Sequence, residues 1–82
     1  MSRKFHKPSN IIQLGNILNS AKQNNHTLYY SDTKEAVYVI EQIDLQQSIL
    51  KVYIGTDPTM YSRINWDNFL KDVVFIWEKW VT

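Results

Sequence analysis

Apolar residues recur along the first third of the chain with a helical period. Ile11, Leu14, Ile17, Leu18 and Ala21 fall on one side at about 100° per residue, opposite the uncharged set Gln13, Asn16, Ser20 and Gln23. The pattern predicts a helix over residues 9–24, with Ser9 capping free N–H groups of its first turn. Asn24-Asn25 ends it, because Asn tolerates left-handed backbone. The period then changes to two. Residues 27–31, 36–43 and 48–54 are rich in β-branched and aromatic side chains and read as strands. Turn-forming residues 31–33 and 44–47 separate them, and connections this short fit antiparallel hairpins. Leu50, Val52 and Ile54 alternate toward a core. Lys51 and Tyr53 point away, with Tyr38 expected beside them.

From residue 65 the pattern reads as helical again, to residue 81. Asn65 is a good N-cap, and Ile64 with Phe69 can form a hydrophobic staple. Asp67 near the start and Lys79 near the end suit the helix dipole. Trp66, Phe69, Leu70, Val73, Trp77, Trp80 and Val81 share one helical face, and Trp66, Val73 and Trp77 are the expected core. Phe75 lies about 180° from Trp66, and Val74 and Ile76 widen the stripe. The order is therefore α-β-β-β-α. The expected fold class is α+β, one small domain with a three-stranded antiparallel sheet and two helices on one face. Residues 9–82 make up that domain. Residues 1–8 form a basic N-terminal arm, whose first seven residues are expected to be mobile.

Composition narrows the possibilities. The chain has 82 residues, 44% of them hydrophobic and 21% charged, which suits one globular domain. It has no cysteine and only two histidines, so neither a disulfide framework nor a closed zinc site is expected. No apolar run reaches transmembrane length, and a cytoplasmic protein is expected. The net charge of +1 is uneven. Residues 1–31 carry Arg3, Lys4, Lys7 and Lys22 and no acid, while residues 32–82 carry five basic and eight acidic side chains. The abundance of Ile, Lys, Asn and Tyr is common in AT-rich genomes. It points to an accessory or inhibitor protein of a mobile genetic element, of phage or plasmid origin.

Candidate chemistry is sparse. There is no glycine-rich phosphate loop and no pair of histidines one helical turn apart. His6, His26 and the carboxylates sit in expected turns or the arm, so no enzyme, cofactor or metal is expected. The element order is similar in topology to the double-stranded RNA-binding domain. That family has lysines where Asn65-Trp66-Asp67-Asn68 stands here, so no function is carried over. Val52-Tyr53-Ile54-Gly55 followed by Asp57-Pro58 resembles the sheet of integrase arm-binding domains over that short stretch alone.

Two functional expectations remain. The first is a small non-enzymatic protein-interaction module that docks on another protein or on itself as a homodimer. Its surface would be Phe75, Ile76, Trp80, Tyr38 and Tyr53, because aromatic residues dominate interface hot spots. The alternative is a nucleic-acid-binding regulator using Arg3, Lys4, His6, Lys7 and Lys51 with exposed tyrosines, Tyr29 or Tyr30 among them. No membrane partner and no small-molecule substrate is expected.

Overall fold

A computed structural model describes residues 2–80, apart from the side chains of Ser2 and Trp80. Its elements are β1 (Ser2–His6), α1 (Ile11–Gln23), β2 (Thr27–Asp32), β3 (Val37–Asp44), β4 (Ile49–Ile54), β5 (Tyr61–Asn65), α2 (Trp66–Asp72) and β6 (Val73–Trp80). The strands form one six-stranded antiparallel sheet in the order β1-β6-β2-β3-β4-β5. The expected α-β-β-β-α order with a three-stranded sheet is therefore incorrect, and with it falls the topological likeness to the double-stranded RNA-binding domain. The α+β character and the two helices hold.

Three differences produce the larger sheet. Ser2–His6, placed in the basic arm, pair residue by residue along β6 as an edge strand. Tyr61–Asn65 pair with β4 as the opposite edge. The expected long second helix stops at Asp72, and the chain continues as β6, threaded between β1 and β2. Val73 to Trp77 are consecutively β-branched or aromatic, which favours a pleated conformation. A strand with a neighbour on each side and side chains packed on both faces reads as continuously apolar. Over so short a run it mimics a buried helix.

The local signals have visible causes, and the cap of α1 is corrected by one residue. Asn10 rather than Ser9 caps α1, its side chain accepting from the Gln13 N–H at 2.9 Å, while the Gln13 side chain accepts from the Ser9 N–H at 2.8 Å. Asn25 takes the left-handed conformation after α1, at φ 58°. Asn65 caps α2, accepting from the Asn68 N–H at 2.8 Å. Asp32, Asp44 and Asp57 each turn the chain by accepting N–H groups two residues on, from Lys34, Gln46 and Thr59.

The core lies between one sheet face and both helices. Leu28, Tyr30, Ile40, Leu50, Val52 and Ile76 meet Leu14 and Leu18 of α1 and Phe69 of α2. Trp66 and Val73 pack against this cluster as expected. Tyr30 is stacked on Tyr38 at 5.0 Å and meets Phe69 edge-on at 4.9 Å. Burial pushes the Tyr30 hydroxyl well above the ordinary tyrosine range. Tyr38 is thus on the covered side, opposite Ile54, and not beside Tyr53, because counting by two from Ile40 brings it inward. Trp77 is buried but belongs to the other face. Val81 and the Trp80 side chain lie outside the described residues.

Candidate binding face

Register determines what the uncovered face presents. Phe5 of β1 stands opposite Trp77 of β6, Trp77 opposite Tyr29 of β2, and Tyr29 opposite Val39 of β3. Val39 stands opposite Tyr53 of β4, and Tyr53 opposite Tyr61 of β5. One unbroken row therefore crosses all six strands, and every member except Val39 is aromatic. Phe75, Ser31 and Val37 form a second row beside it. No helix covers these side chains.

The rings interlock. Tyr29 and Trp77 stack at 5.6 Å with 15° between planes, and the Arg3 guanidinium lies 5.6 Å from the Trp77 ring centre. Phe5 packs edge-on to Phe75 at 5.9 Å and lies 6.4 Å from Trp77. At the far end Tyr53 meets Tyr61 edge-on at 5.7 Å, and the Lys51 ammonium sits 4.1 Å over the Tyr61 ring. Trp77 is consequently only 8% exposed, whereas Phe5, Phe75 and Tyr61 are 58%, 57% and 48% exposed. Burial, with the nearby Glu41 charge, raises the Tyr53 pKa.

Cations cluster on this face as like-charged pairs. Arg3 stands opposite Lys79, and Lys51 opposite Arg63. Both ion pairs found among the described residues involve Glu78 and histidines, so none of these four cations has a carboxylate partner there. Glu41 and Asp44 are the acids nearest the face. Asp44 is already accepting the Gln46 and Gln47 N–H groups.

The opposite face holds a different polar cluster. Glu78, 7% exposed, bonds His6 Nε2 at 3.0 Å and His26 Nδ1. Burial pushes the Glu78 pKa up, but the hydrogen bonds and charges of His26 and His6 outweigh it and hold the carboxyl below its ordinary range. The cluster ties β1 and the start of β2 to β6. Among the described residues no group of three or more His, Cys, Asp or Glu is arranged to hold a metal ion.

The expected site residues therefore scatter. Phe75 and Tyr53 lie on the open face. Ile76 is in the core, 6% exposed, and Tyr38 packs against it. Arg3 and Lys51 share the open face. His6 is engaged with Glu78, Lys4 stands opposite Glu78 in register, and Lys7 follows the end of β1. Phe5, Tyr61, Arg63, Trp77 and Lys79 were missed as members of one surface. Alternation through Tyr61-Ser62-Arg63 and Phe75-Ile76-Trp77 is the signal that identifies them. No helix is long and apolar enough to cross a membrane among the described residues. Compared with known proteins, the chain matches no family model, no curated sequence and no solved structure.

Proposed function

We propose that this chain is a protein-interaction module, cytoplasmic and non-enzymatic, that docks another protein on the open face of its sheet. The observation that carries this reading is the row across six strands, aromatic at every strand but β3, with Phe5 of that row and Phe75 beside it more than half exposed. Apolar surface of this kind, rimmed by polar groups, marks interaction sites on small proteins. Burying one such Phe is worth roughly 1.5–3 kcal/mol.

The state of the rings favours a protein over a nucleic acid. Base stacking needs a free ring face. Tyr29 and Trp77 spend faces on each other, Arg3 sits against Trp77, and Lys51 covers Tyr61. The face therefore offers mainly ring edges and the two exposed Phe side chains. Self-pairing is also disfavoured, because a second copy brings Arg3, Lys51, Arg63 and Lys79 again.

Selection of displayed random peptides against the native protein tests the reading. Peptides that bind it should lose about tenfold or more in affinity toward a Phe5→Asp/Phe75→Asp variant that keeps its circular dichroism. Peptides that bind this variant as well as the native protein would contradict it. So would a concentration-dependent dimer held by the same two residues.

A further inference from the structure

We infer that the open face recognises an acidic partner, whose carboxylate side chains seat between the like-charged pairs, chiefly in the cleft at Lys51 and Arg63. The inference rests on the proposed docking role of that face. Like charges directly opposite on neighbouring strands destabilise a sheet. This sheet carries two such pairs on one face, Arg3 with Lys79 and Lys51 with Arg63, near opposite ends of the aromatic row. Neither pair has an acid within ion-pair distance among the described residues. Contact of Arg3 with Trp77 and of Lys51 with Tyr61 offsets part of that repulsion, but no acid among the described residues neutralises either pair, whereas an incoming anion would.

The Lys51 pair has the better-formed site. A cleft of about 150 Å³ is lined by Gln42, Asp44, Gln47, Ile49, Lys51 and Arg63. That space takes a carboxylate together with part of the side chain that carries it. Arg63 supplies a planar fork that matches a carboxylate, and Lys51 a second positive charge. Asp44, the cleft's own acid, accepts the turn N–H groups of Gln46 and Gln47 on Oδ1 and leaves Lys51 and Arg63 with one positive charge in excess. Tyr53 and Tyr61 adjoin the cleft, two residues along their strands from Lys51 and Arg63 and therefore on the same face. A partner segment with an acid next to an apolar or aromatic residue would therefore satisfy the cleft and the row together. Charge complementarity chooses this occupant over a second copy of the chain.

Binding of a fluorescent random copolymer of glutamate and tyrosine tests this directly, with a lysine–tyrosine copolymer and oligo(dT) as controls. The native protein should bind the glutamate–tyrosine copolymer, more weakly as salt rises, and the lysine–tyrosine copolymer at least tenfold less well. Lys51→Gln/Arg63→Gln should weaken binding about tenfold or more while the protein keeps its circular dichroism. Should the double variant fold poorly, Arg63→Gln alone, at an exposed edge position, serves with the same expected direction. Equal binding by native and variant proteins overturns the inference, as does equal binding of the two copolymers. If displayed peptides depend on Phe5 and Phe75 but not on Lys51 and Arg63, the acidic partner is wrong and the docking face stands. If oligo(dT) binds more tightly than the acidic copolymer through the same cations, the ligand is a nucleic acid and both readings fall.

Discussion

The two faces of the sheet are built from the same strands by the same alternation, yet they end in different states. On one, Leu28, Ile40, Leu50 and Val52 are at most 2% exposed beneath the helices. On the other, Tyr29 stacks on Trp77 and Tyr53 meets Tyr61, and Phe5, Phe75 and Tyr61 remain about half exposed or more. Aliphatic side chains, with Tyr30 and Tyr38, fill the face that has a layer above it, and mainly rings and cations fill the face that has none. A small domain with two short helices has only enough material to cover one side of six strands. The uncovered side is therefore where selection for contact is free to act without rebuilding the core.

The largest test of this contrast is truncation of one ring on each side. Phe69, fully buried between α2 and Tyr30, should cost about 3–5 kcal/mol as Phe69→Ala in chemical denaturation. Phe75→Ala should cost less than about 1 kcal/mol. Similar losses for the two would erase the distinction between the faces. Trp77 falls between them, because it is buried by neighbours on the open face and by no helix. Trp77→Ala should cost about 1.5–3 kcal/mol by the same measurement.

A smaller effect separates the faces by pH. Glu78 on the covered side has a folded-state pKa below its ordinary value of 4.5. Its stabilising contribution is therefore complete above that value and is lost as pH falls through the depressed folded pKa. Native protein should lose stability on acidification below about pH 4.5, and Glu78→Gln should show a shallower loss across that window. Parallel acid profiles would show that the two histidines do not support the carboxylate. The smallest expected change is a gain. Gly15 lies inside α1 at negative φ, and an added Cβ meets Leu45 Cδ2 at an ordinary 3.7 Å. Gly15→Ala should raise stability by about 0.5–1 kcal/mol, read as a small rise in melting temperature.

How far the sequence was legible follows the same division. The hairpins from β2 to β4 were readable because the strands are rich in β-branched and aromatic residues and each turn carries its own Asp. Asn65 was readable as a helix start because a cap is a local device. The end of that helix was not. Val73 to Trp77 satisfy a helical stripe and a β-branched, aromatic strand equally well, and pairing with β1 and β2 decides between them. Those partners lie far away in sequence, so propensity alone could not reveal them. The same error hid the binding face. With Phe75 and Trp77 on opposite sides of a helix, no pattern joins them to Phe5 or Tyr29. Placed two apart on β6, they complete the row. Tyr53 and Lys51 are legible as outward-facing because β4 alternates, whereas Tyr61 and Arg63 are not, because β5 is a short, mostly exposed edge strand running straight into the cap of α2.

The most direct test of the docking face is a backbone amide chemical-shift map of the labelled protein titrated with a peptide selected to bind it. The account predicts that the shifted amides concentrate along the open-face row and its cations, at Phe5, Tyr29, Lys51, Tyr53, Tyr61, Arg63, Phe75 and Trp77, with α1 and α2 unchanged. Shifts concentrated instead on the helical side, around Pro8, Trp66, Leu70 and Val74, would contradict it, because that groove lies behind the sheet and shares none of those side chains.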